Sequence, residues 1–129
     1  METLIEFTLT HDDKPGSLSV LGNLMAAEGI NIRTMTAVPT LDGRGIVRFI
    51  VNDSIIAEKA LAASGLEYVS REVLAVEITD EPGSMGGLAR YLADFEINID
   101  CLYVLGTIPG KITVVLGVDR LDEARRLLE

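Results

Sequence analysis

From Leu4 to Thr10 the chain alternates, with Leu4/Ile5, Phe7 and Leu9 set against Glu6, Thr8 and Thr10. That period of two predicts a strand with one buried face. Asp12 and Asp13 stop it, and Leu18, Leu21, Leu24/Met25 and Ile30 then recur at helical spacing, which predicts a helix over about 16–28 ended by Gly29. Pro15 suits the first turn of that helix, and Asp13 or Ser17 is expected to cap its free amides. A second strand follows over 31–38, and Leu41-Asp42-Gly43 turns into a third over 46–51, dense in β-formers. Asn52-Asp53-Ser54 opens a helix whose Ile56, Ala57, Ala60 and Leu61 share a face before Gly65 closes it. Strands over 66–70 and 73–79 come next, almost without a break. Met85, Leu88, Leu92 and Phe95 then stripe another helix; strands over 97–105 and 112–118 flank Pro109-Gly110, and a helix over 121–128 ends the pattern.

The order β-α-β-β-α-β is thus met once in full and once without its last strand. Asp13-Lys14-Pro15-Gly16-Ser17-Leu18 returns as Asp80-Glu81-Pro82-Gly83-Ser84-Met85, and Ile30-Asn31-Ile32 as Ile97-Asn98-Ile99. Both landmarks are displaced by 67 residues. The reading is an α+β chain of two tandem repeats, 1–70 and 71–129. Each has an antiparallel sheet with its helices on one face, which leaves the other sheet face bare and one edge of the second sheet unpaired.

Composition narrows the function classes. Repeats of about 65 residues in a chain of 129 are marginal alone, so shared surface or a homodimer or higher homo-oligomer is expected. A net charge of −9, from eleven basic against twenty acidic side chains, argues against nucleic acid and anionic membranes as partners. No apolar run reaches membrane-spanning length and the N-terminus lacks a signal-peptide pattern; with a single cysteine, Cys101, the default is a cytoplasmic protein. One His, one Cys and no metal-ligand spacing leave little for acid–base, nucleophilic or metal catalysis, so no catalytic residue, metal or cofactor is assigned.

The doubled D-x-P-G-x-[Leu/Met] segment between a strand and an amphipathic helix, with an Ile-flanked Asn sixteen residues after the Pro, resembles the ACT domain, a small regulatory module of amino-acid metabolism. The resemblance covers nearly the whole chain as a tandem pair. It implies a ferredoxin-like fold that binds a small metabolite, commonly a free amino acid, at an interface between two units. It also implies a site at His11, Asp13, Pro15, Gly16, Ser17, Leu18, Asn31 and Ile32, repeated at Asp80, Gly83, Ser84, Met85, Asn98 and Ile99. In serine-binding relatives the His, Asp and Asn positions line the pocket; here Ile78 replaces the His in the second copy. Physical chemistry points the same way. Helix-start amides attract a carboxylate, Gly16 and Gly83 allow close approach, and Asp13 with Asn31, or Asp80 with Asn98, offers oxygens to an ammonium group. The expected function is non-catalytic amino-acid sensing, read out through assembly or a partner enzyme. A ligand-free dimerisation module and a small ferredoxin-like enzyme are the alternatives.

Overall fold

The computed structural model describes residues 1–129. By internal contacts the chain forms two units, one of residues 5–71 and one of residues 72–129 together with 1–4.

In the first unit, β1 (Glu2–Asp12, from Ile5 onward) pairs antiparallel with β3 (Arg44–Val51), setting Phe7 opposite Phe49 and His11 opposite Gly45. β3 pairs antiparallel with β2 (Ile32–Pro39), and the start of β4 (Tyr68–Thr79) supplies Tyr68, packed edge-on to Phe7. Helices α1 (Ser17–Ala27) and α2 (Ser54–Ser64) cover one face. Leu21, Met25, Ala57 and Leu61 meet Phe7, Leu9, Val47 and Phe49 there in a core almost without exposed surface. Asp53 caps α2 as expected, accepting from the Ile56 amide at 3.1 Å. The β2–β3 turn closes on Asp42, which accepts from the Thr40 hydroxyl and the Arg44 amide. Those two bonds, the hydroxyl first, hold its carboxyl below the usual range.

The second unit repeats the plan with β4 from Glu72 onward, α3 (Ser84–Ala93), β5 (Ile99–Ile108), β6 (Lys111–Val118) and α4 (Leu121–Leu128). Its strands run in the order β4-β6-β5, all antiparallel, around Leu74, Val76, Leu88, Leu92, Val114 and Leu116. The chain is therefore α+β, built of two ferredoxin-like repeats. The first four residues belong with this unit. Arg125 of α4 donates to the Thr3 hydroxyl at 3.1 Å and also reaches Glu72 and Asp122.

The structure departs from the sequence reading at several points. The two strands expected over 66–70 and 73–79 are one strand from Tyr68 to Thr79, because no glycine or proline breaks that run. The sheet face away from the helices is not bare. Val73, Ala75 and Val115 alternate with core residues of the second unit, yet expose at most 3% of their surface, and Glu6 and Ile50 are equally hidden in the first. Val73-Leu74-Ala75-Val76 is the continuous apolar run that two-sided burial requires. Helix α1 ends where expected, with Gly29 at φ +70°, but the matching position in the second copy is Glu96 at φ +59°. The backbone there keeps its left-handed step even without glycine. No helix is long and apolar enough to cross a membrane.

Candidate functional site

The β1–α1 turn is fixed by backbone bonds that recur 67 residues later. The Asp13 amide donates to the Gly43 carbonyl, Lys14 to Asp12 and Ser17 to Lys14; Asp80 likewise donates to Gly110, Glu81 to Thr79 and Ser84 to Glu81. Gly16 and Gly83 are the N-caps, at φ +90° and +92°. A left-handed step is the reason for glycine here, and it overturns the expected capping by Asp13 or Ser17. Neither helix has a side-chain cap or an acidic residue in its first turn, and backbone carbonyls take up the Ser17 and Ser19 amides of one and the Ser84 amide of the other.

Over the first turn lies a depression of about 520 Å³ whose wall includes Thr10, His11, Asp12, Lys14, Pro15, Gly16, Ser17 and Arg44. It shares Thr10, His11, Ser17, Val20 and Leu66 with a smaller, mainly apolar pocket of about 50 Å³, lined also by Leu9, Leu18, Leu21 and Val47. Asp12 sits between two cations, 3.2 Å from Arg44 and 3.9 Å from Lys14, and Arg44 also donates to the Thr10 hydroxyl. Beyond Leu66 a third, mainly apolar depression extends past Tyr68 to Val69. Burial, and then Glu58, raises the Tyr68 hydroxyl above its usual 10, which keeps it protonated at neutral pH.

His11 lines this groove, but its ring is turned onto β3. Nδ1 donates to the Asp12 carbonyl at 2.9 Å, while Nε2 is buried without a partner over Gly45. A Cβ on Gly45 would come within 2.6 Å of that nitrogen. The corresponding register pair in the second copy is Ile78 opposite Ile112. One copy thus packs a ring on a glycine where the other packs two branched side chains. Gly45→Ile should therefore cost about 1–2 kcal/mol by overpacking, and adding His11→Ile should recover most of it. Denaturant melts of both singles and the double check this, and simple additivity would refute it.

The remaining predicted site residues are placed as follows. Asp13 is exposed beside the depression but not in its wall, and Leu18 lines the small pocket. Asn31 and Ile32 lie past the far end of α1, whose 11 residues span about 16 Å. Asn31 bonds Asn52 through its backbone alone, its amide donating to Asn52 Oδ1 at 3.0 Å and its carbonyl accepting from the Asn52 amide. Asn98 repeats this with Asp119. Within one unit, then, the two halves of the predicted zwitterion site are not brought together. Asp80, Gly83, Ser84 and Met85 stand in the second copy where Asp13, Gly16, Ser17 and Leu18 stand in the first, and Ile99, like Ile32, packs against its core. Sequence reasoning missed Asp12, Lys14, Val20, Arg44 and Leu66. Arg44 was within reach, since it faces Asp12 once the strand register is known.

The model of a family described as an ACT domain pair matches residues 2–128. The chain belongs to that family. Among solved structures, this ACT pair superposes on protein BT0572 from Bacteroides thetaiotaomicron with a TM-score of 0.87 at 22% identity, over 98% of this chain and 86% of that one. The regulatory subunit of aspartate kinase from Thermus flavus gives 0.74 at 20%, covering 99% and 89%. That from Thermus thermophilus, in its ligand-free form, gives 0.71 at 20%, covering 96% and 89%. At such identities the likeness is one of fold. Comparison of the ACT pair with curated proteins returns no match.

Proposed function

We propose that this ACT pair is a non-catalytic regulatory module of the cytoplasm that binds a free amino acid at the β1–α1 turn and relays its presence through homo-oligomeric assembly or a partner enzyme of amino-acid metabolism. The observation that carries the reading is the uncapped α1 start at Gly16, opening onto a groove with Lys14, Arg44 and Asp12 in its wall. The positive end of α1 and two cations suit an α-carboxylate, and Asp12 and Asp13 suit an ammonium group. Asn31 joins the site from a neighbouring copy, because its own helix holds it too far away. Titratable groups able to run chemistry are not needed for this task.

Melting the protein with each of the twenty amino acids tests the proposal. A ligand at one hundred times its Kd adds about 2.7 kcal/mol, or roughly 10 °C in Tm for a chain of this size. Asn31→Ala should remove that shift while moving the unliganded Tm by only a few degrees, since the Asn31–Asn52 bonds are made by backbone atoms. No shift with any amino acid sinks the proposal.

A further inference from the structure

We infer that the ligand is an amino acid with a branched aliphatic side chain, namely valine, leucine or isoleucine, and that only the first copy of the repeat binds it. The inference rests on the amino-acid-binding reading above and adds the side-chain class and the number of sites.

The groove changes character along its length. At the turn it presents Lys14, Arg44 and Asp12, charges of both signs that complement a zwitterion. From there it passes between Ser17 and His11 into the small pocket, whose deeper wall is Leu9, Leu21 and Val47 and whose lip is Leu18, Val20 and Leu66. Six of its nine lining residues are aliphatic, the others being Thr10, His11 and Ser17, and no Asp, Glu, Lys or Arg reaches it. An aliphatic side chain matches most of that lining, whereas a charged one would lose its water against six aliphatic residues. The space, about 50 Å³, is room for roughly two water-sized groups, which suits the branched end of an aliphatic chain and is too little for an indole. Val20 and Leu66 remain 60% and 38% exposed, large apolar surface held open at the lip of an otherwise closed wall.

The second copy does not reproduce this chemistry. At the positions of Thr10, His11, Lys14 and Val20 it carries Glu77, Ile78, Glu81 and Gly87. Thr79 also stands in place of Asp12, so the charge pattern that complements a zwitterion is lost: Glu81 puts a carboxylate where Lys14 offered a cation, and Gly87 removes one of the three apolar lip residues. One bound amino acid per chain follows.

Titration calorimetry of the full chain with valine, leucine, isoleucine, serine, aspartate, lysine, phenylalanine and tryptophan tests this. The expected result is binding of the three aliphatic amino acids at one per chain. Leu66→Ser should then weaken them by about tenfold or more, while Leu41→Ser, a fully exposed leucine in the β2–β3 turn outside the groove, leaves the affinity unchanged. Circular dichroism checks folding, and if Leu66→Ser is unfolded, Val20→Ser on the exposed face of α1 decides in its place. Tight binding confined to serine, aspartate, lysine or the aromatic amino acids, unchanged affinity in the lip variant, or two sites per chain overturns the inference and leaves the sensing proposal intact. Silence with every amino acid overturns both.

Discussion

Phe49→Ala is expected to lower stability by about 3–5 kcal/mol, a fall in Tm of roughly 12–20 °C. Phe49 has no exposed surface, lies opposite Phe7 in the β1–β3 register with ring centroids 5.5 Å apart, and faces Met35 across β2. Phe7 in turn meets Tyr68, so one truncation opens a cavity beside the two remaining rings and the α1 and α2 side chains of the same core. The effect belongs to the first unit, and amide exchange should speed up there, in β1 and β3, before β6 responds. A loss under 1 kcal/mol in a denaturant melt would mean that the rings do not form one packed cluster.

Arg71→Met is expected to cost about 3 kcal/mol, a large effect for an ion pair. Most surface pairs are worth little, because water already solvates both partners. Glu6 is different, since its side chain is wholly buried and Arg71 Nε donates to it at 2.9 Å from a position one-third exposed. Methionine keeps the length of the side chain but withdraws the charge, so the buried carboxylate loses this ion pair. Glu6→Gln in the Arg71→Met background should recover part of the loss, because a neutral amide is cheaper to bury. If the double variant is no more stable than the single, the buried charge is not what the arginine offsets.

Much of the fold was legible in the sequence because the repeat declares itself in residues whose backbone roles are strict. The Pro-Gly turn and the Ile-flanked Asn recur at one spacing, and the backbone bonds of Asp13, Lys14, Ser17 and Asn52 recur at the same spacing. Caps were legible only in part. Asp53 obeys the rule that a short acid caps a helix, whereas at α1 and α3 a left-handed glycine takes the position and leaves Asp13 and Asp80 outside. The groove was less legible still. Arg44 reaches it through the register of a hairpin and Leu66 through the α2–β4 connection, so their proximity to Asp12 and Val20 is written in no local pattern. His11 could be named from its place before the turn, but the ring's true neighbour, Gly45, emerges only once β1 and β3 are paired.

The membership of residues 1–4 in the second unit has a consequence for the order of events on the ribosome. Residues 5–71 are made early and contain every partner in their own core, so that unit can close while synthesis continues. Thr3 cannot yet find its partner, because Arg125 lies 122 residues further along the chain. Closing so long a loop is slow and comes after local pairing. Residues 1–4 therefore settle only after synthesis has passed Arg125.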